Sequence, residues 1–209
     1  MALQLPGLLP NLETLTGRFV LQPFSMADVV QLSAVLAHDE IWSQGYGDGE
    51  HRPTDPADLA GFIQRRYDGH AIYSVFTAGP PGYQAFVGTT GLTEIQADVE
   101  RVKIGRTVLD PRVWGSRANH EVKIALMDWL FSCGAGRIEC DVDPRNQRSL
   151  RSLTRFGFTI EGIRRRSTPR ADGSWRDIVV LSLLVEEWPQ ARAQAVAALR
   201  KYATERMAA

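Results

Sequence analysis

The chain has 209 residues, 44% of them hydrophobic and 23% charged, ordinary proportions for a globular protein able to bury a substantial core. Its 24 basic side chains balance 24 acidic ones, and zero net charge excludes the bulk phosphate neutralisation that sequence-independent nucleic-acid binding needs. No apolar run approaches the roughly 18 residues that span a bilayer, so neither nucleic acid nor membrane is an expected partner.

The opening "MALQLPGLLPNLETL" lacks a basic n-region and carries two early prolines, which does not fit a signal peptide, and a cytoplasmic location is the expectation. "GRFVLQPF" (17–24) reads as a strand ending at Pro23, and Ser25 as the N-cap of a helix through Leu36. The glycines of "IWSQGYGDGEHRPTDP" (41–56) predict a loop. A second helix starts near Asp55 or Asp58 and carries Leu59, Phe62, Ile63 and Tyr67 at helical spacing. Three strands follow at 71–77, 82–95 and 101–109, divided by the turn "AGPPG" and the acidic "QADVE".

Val122, Leu126, Trp129, Leu130 and Cys133 share one face of a long helix ending near Gly134 and Gly136. A strand at 137–143, a short helix at 146–157, two strands ("FTIEGIRRRST" and "SWRDIVVLSLLV") and a helical tail from Glu186 to Met207 complete the order. No repeat or composition break divides the chain, so residues 1–209 read as one domain. The pattern predicts a mixed α/β (α+β) sheet flanked by helices rather than a doubly wound parallel one. Cys133 and Cys140 read as reduced, buried thiols, and the four histidines show no ligand spacing, so no metal site is expected.

Three stretches can carry chemistry. In "DPRVWGSRANHEVK" (110–123) a strand turns into a helix through Gly115, between Arg112 and Arg117. Unpaired N–H groups and a helix N-terminus suit an anion, although an ordinary turn with solvated arginines fits as well. In "DPRNQRSLRSL", Asn146 and Ser149 lie i, i+3 in a first helical turn, where Asn146 either faces a ligand or simply caps the helix. In "FGFTIEGIRRRST", strand alternation puts Arg164 and Arg166 on one face and Arg165 on the other.

Together these stretches resemble a family. "LDPRVWGSRANHE", the N-x-x-S of Asn146 and Ser149, the "FGF-x-x-EG" of Phe156 to Gly162 and the "DG-x-x-RD" of Asp172 to Asp177 are similar to the GNAT N-acetyltransferases, nearest the RimJ/RimL-type branch that acetylates protein N-termini. The opening "GRFVLQPFSMAD" and the closing "LSLLVEEW" match too, so the resemblance covers about residues 14–189, with 190–209 a terminal helix.

The resemblance implies a single GNAT-like domain whose mostly antiparallel sheet holds one parallel, splayed central pair, 101–109 and 137–143. It implies acetyl-CoA as cosubstrate, no metal, an amine acceptor and, as a further expectation, a homodimer. The cofactor would lie against Thr107, Val108, Leu109, Arg112, Gly115, Ser116, Arg117, Ala118, Asn119 and Asn146. The family's turn pattern is Q/R-x-x-G-x-G/A. Arg112 and Gly115 match its first and fourth positions, but Arg117 stands where Gly or Ala belongs, either to pair with phosphate or to crowd it.

Ser149 matches the position that protonates the departing thiolate, and strand 101–109 would offer N–H groups to the oxyanion. The glutamate that some branch members carry seven residues beyond the "EG" glutamate is here Thr168, which leaves Glu94 and Asp177 as candidate bases. An α-amine of pKa about 8 costs about 1.4 kcal/mol to deprotonate at pH 7 and a lysine about 4.6, so a weak base or a water relay suffices only for the former. The acceptor is a protein N-terminus, a small amine or an aminoglycoside, and Asp48 and Glu50 in the 41–56 loop hint at a cationic one. A non-catalytic CoA-binding sensor or structural protein is the alternative, kept open by Arg117 and Thr168.

Overall fold

The computed structural model describes residues 2–80 and 82–205, with backbone alone for 201–205. Its strands are β1 (Leu12–Glu13), β2 (Phe19–Pro23), β3 (Ala71–Thr77), β4 (Phe86–Gln96), β5 (Arg101–Leu109), β6 (Arg137–Val142), β7 (Thr159–Pro169) and β8 (Trp175–Leu184). Its helices are α1 (Val29–Leu36), α2 (Asp39–Ser43), α3 (Pro56–Tyr67), α4 (Ala118–Ser132), α5 (Gln147–Phe156) and α6 (Trp188–Glu205). The strands form one sheet in the order β1-β2-β3-β4-β5-β6-β8-β7, and only β5 and β6 run parallel. This is the mostly antiparallel α/β fold that the sequence predicts.

Boundaries differ in places. The 41–56 loop is entered through α2, whose Trp42 Nε1 donates to Leu36 O at 2.8 Å and folds the helix back onto α1. Residues 82–85 stay outside β4, and Pro81 of the "AGPPG" turn lies outside the described residues, as do 206 and 207 of the expected tail. Ser25 caps a single 3-10 turn, Met26–Asp28, that runs into α1, and Asp55 caps α3 by accepting from the N–H groups of Ala57 and Asp58.

Two apolar clusters lie on opposite faces of the sheet. α4 and α6 cover one face, taking Tyr73, Val75, Val102, Ile104 and Ile138, while α1 and α3 cover the other, taking Ile72 and Val108. Five consecutive buried residues, Ile72 to Phe76, reflect this two-sided cover. Trp188 of α6 stacks on Phe156 of α5 with ring centroids 5.8 Å apart, and its indole donates to Asp128 of α4 at 3.0 Å. Gly157, at φ +110°, ends α5 in the left-handed conformation that a side chain resists.

One irregularity shapes the site. β4 and β5 pair Gly91 with Gly105 and then Thr89 with Val108, so two residues of β4 advance against three of β5. This β-bulge sits at Arg106, which has φ +52°. It reverses the alternation along β5: Ile104 enters one apolar cluster and Val108, four residues on, the other. On its opposite edge β5 pairs with β6 only from Arg101 to Ile104, although β5 continues to Leu109 and β6 to Val142. The two parallel strands therefore part at the bulge, and a cleft opens between them.

Candidate active site

The cleft has a volume of about 460 Å³. Gly105 to Leu109 form one wall, Cys140 to Asp143 another, Asn119 and Lys123 of α4 with Ser149 and Ser152 of α5 line one end, and Gln44 to Asp48 with Arg66 line the other. Of the residues that sequence assigns to cofactor or catalysis, the structure gathers Thr107, Val108, Leu109, Asn119, Asn146 and Ser149 onto this cleft. Asn146 also caps α5, accepting from the Ser149 N–H at 2.9 Å, which is the capping reading of that residue.

Arg112, Gly115, Ser116, Arg117 and Ala118 belong to the turn at the head of α4 rather than to the cleft lining. Asp110 organises this turn: it is buried, accepts from the Arg112 N–H at 2.8 Å, and takes a forked contact from the Arg112 guanidinium. The hydrogen bonds from Arg112, outweighing burial, hold the Asp110 carboxyl below its ordinary range. Gly115, at φ +73°, has nothing within 4 Å of where a Cβ would stand. Ser116 Oγ donates to Val113 O and accepts from Ala118 N. The N–H groups of Gly115, Arg117 and Asn119 have no acceptor among the described residues, which leaves three donors at the positive end of a 15-residue helix. Arg117 is half-buried and does not line the cleft.

Beside this turn, Trp114 is fixed by its Nε1 donating to Leu109 O at 2.7 Å, and the Arg148 guanidinium lies 3.6 Å from its ring centroid. Lys123, one helical turn below Asn119, is buried and donates to Asn119 Oδ1 at 2.5 Å; Asn119 Nδ2 in turn donates to Ser152 Oγ at 2.8 Å. Burial brings the Lys123 ammonium down to about 8 and pushes the facing Cys140 thiol up to about 12.

A network of arginines and aspartates occupies the other end. Asp48 pairs with Arg66 at 2.5 Å, Arg176 at 2.8 Å and Arg106 at 3.3 Å, while Asp143 accepts from Arg170 at 2.7 Å and Arg176 at 3.2 Å. Burial works to raise both carboxyls, but the guanidinium groups outweigh it and hold both below the usual carboxylate range. Asp48 is thus neutralised by three cations, which corrects the hint of a cationic acceptor drawn from Asp48 and Glu50. Glu50 itself stands 3.8 Å from Arg66. A chain of hydroxyls, Tyr46 to Tyr67 at 3.1 Å and Tyr67 to Thr89 at 2.7 Å, ends in Thr89 donating to Arg106 O at 2.9 Å and ties the bulge to this wall.

The structure does not bring the two expected bases, Glu94 and Asp177, onto the cleft. Glu94 is one ion pair away, bound to Lys103 Nζ at 2.9 Å, and this contact holds its carboxyl low. Asp177 accepts from the Arg166 N–H at 2.8 Å in the β7–β8 hairpin. The hairpin also departs from simple alternation: Arg166 has φ +50° within a register shift, Arg164 reaches Asp141, and Arg166 lies over the Trp175 ring at 4.4 Å. Thr168 does line the cleft, where its Oγ1 is buried without a hydrogen-bond partner among the described residues. Sequence reasoning missed Arg66, Arg106, Lys123, Arg148 and Asp143. Arg176 was within reach, as it is the arginine of the "DG-x-x-RD" stretch.

Among the described residues, no group of three or more His, Cys, Asp or Glu could hold a metal ion, and no helix is long and apolar enough to cross a membrane.

Residues 18–159 match the acetyltransferase (GNAT) domain family. The N-acetyltransferase p20 of Bacillus licheniformis is 33% identical over 103 residues, which are 49% of this chain and 57% of that protein, so the chain spans less than two thirds of that relative's length. A solved acetyltransferase structure from T. thermophilus is 28% identical, with a TM-score of 0.75 over 91% of this chain and 98% of that one. The fold is shared with Mycobacterium smegmatis RimJ in complex with CoA-disulfide, at 23% identity and a TM-score of 0.67 over 90% of this chain and 93% of that one.

Proposed function

The chain belongs to the acetyltransferase (GNAT) family of acyltransferases, and from that membership we propose that it acetylates a primary amine from acetyl-CoA by direct attack in a ternary complex. The acceptor is a protein N-terminus or a small-molecule amine. The observation that carries this reading is the parting of β5 from β6 beyond Ile104 and Cys140, with the open N–H donors of Gly115, Arg117 and Asn119 at its end. Bound acetyl-CoA supplies the activated thioester.

The chain's own residues do the rest. The turn donors and Arg112 receive the diphosphate, the strand Thr107–Leu109 borders the reacting carbonyl, and Ser149 gives a proton to the departing sulfur. Of the three cleft aspartates, Asp48 and Asp143 are held ionised by arginines and are weak bases, and Asp141 is paired with Lys103 and Arg164. The acceptor must therefore arrive close to neutral, which favours an α-amine, at about 1.4 kcal/mol for deprotonation at pH 7, over a lysine side chain at about 4.6.

Titration calorimetry with acetyl-CoA, followed by thiol release over a panel of N-terminal peptides, lysine-only peptides and small amines, tests the proposal. Binding with thiol release on α-amines is the expected result. Binding with no thiol release from any amine would favour a non-catalytic CoA-binding protein, and no binding at millimolar acetyl-CoA would sink the reading altogether.

A further inference from the structure

Burying a cation usually requires an anion beside it. Lys123 breaks that pattern. It is 9% exposed, it lines the cleft, and the ionisable groups that act on it are Cys140 and Arg148, neither of which is an acid partner. One of its three N–H donors reaches Asn119 Oδ1, and the other two have no acceptor among the described residues. Arg148, held over Trp114, brings a second cation to the same end of the cleft with no carboxylate bound to it among the described residues. A helical side chain leans toward the helix N-terminus, so the Lys123 ammonium, bonded to Asn119, stands beside the first turn of α4 and its open donors.

Resting on the acetyl-CoA reading above, we propose that Lys123 is a ligand for the cofactor's phosphates, its charge completed by the cofactor rather than by any residue of the protein. In the empty cleft this lysine loses its proton from about pH 8 upward, far below the ordinary lysine range, and the arriving phosphate returns it. Cofactor binding then takes up a proton, and affinity falls as pH rises past about 8. The groups facing Lys123 do not confuse that window. Cys140 on β6 stays protonated up to about 12. Arg148 on α5 is a guanidinium, and His120 on α4 is held below its ordinary value by burial, then by Lys123 and Arg155.

The test is calorimetry of CoA binding at pH 8 in two buffers of different ionisation enthalpy, with the wild type and Lys123→Met. The wild type is expected to take up about half a proton per CoA at pH 8. Lys123→Met is expected to take up none and to bind CoA roughly 10- to 100-fold more weakly at pH 7. Pantetheine, which lacks the phosphates, should bind both proteins alike and without proton uptake. CoA binding to the wild type without proton uptake overturns the proposal, as does equal CoA affinity in the two proteins, and the wild-type measurement decides even if the variant does not fold. Failure of the wild type to bind CoA at all is a different result, which removes the functional reading on which the proposal stands.

Discussion

Replacing Lys123 by methionine should stabilise the ligand-free protein at neutral pH, against the usual expectation for loss of a buried hydrogen bond. A lysine whose ordinary value is 10.5 and which sits at about 8 carries a cost of ~3 kcal/mol in its charged form. Methionine removes that cost, and losing the bond to Asn119 Oδ1 gives back ~1 kcal/mol, for a net gain of ~2 kcal/mol. In a chain of this size that raises Tm by roughly 4–8 °C.

The sign with pH is equally specific. Between about 8 and 10.5 the unfolded lysine holds a proton that the folded one has lost, so wild-type stability rises with pH while that of the variant, on this account, does not. From pH 7 to pH 9 the gap between the two should therefore narrow by ~1 kcal/mol. Cys140 titrates above this window and does not contribute. Urea unfolding at pH 7, 8 and 9 measures the gap; a variant that is less stable at pH 7, or a gap that stays constant to pH 9, would refute the reasoning.

Ser149→Ala should lower kcat about 100-fold with little change in the affinity for acetyl-CoA, as read by steady-state kinetics and calorimetry, if Ser149 protonates the departing thiolate. Glu94→Gln and Asp177→Asn should each leave kcat/KM within about twofold, because neither side chain reaches the cleft; a 100-fold loss in either would restore it as the base. Arg176→Met strips a partner from both Asp48 and the nearly inaccessible Asp143, and should cost roughly 3 kcal/mol in chemical denaturation. The rate profile supplies a further check: kcat/KM should climb with pH to a plateau set by the acceptor's own amine, and the inflection should move when an acceptor of lower amine pKa is used.

Much of the fold was legible because its signals are local. The short apolar run Ala71–Thr77 and the helical spacing of Val122, Leu126, Trp129 and Leu130 survive almost to the residue. The turn at Gly115 and the cap at Asn146 were also readable, since each depends on a few neighbours in the chain. What escaped depends on partners far apart in sequence. Nothing near Asp48 announces that Arg66, Arg106 and Arg176 will converge on it, and a solvated loop carboxylate looks the same on paper. Glu94 and Asp177 suited a base by residue type and by lying on strands able to reach the cleft, and only the sheet register shows the first answering Lys103 and the second a backbone N–H. Lys123 sits in the apolar run "VKIALM", where a single charge reads as the helix's wet side until α5 closes over it.

The bulge at Arg106 gives β5 two frames, as an extra beat shifts every later note of a bar. Upstream of it the strand keeps time with β6, and downstream it keeps time only with β4. Both the opening of the cleft and the handover of Val108 from one apolar cluster to the other follow from that single surplus residue. Length therefore matters there more than chemistry. A side chain exchanged at position 106 edits the wall, whereas a residue removed would bring the strand back into step, turn Thr107 and Val108 each to the face it now turns away from and draw the two parallel strands together.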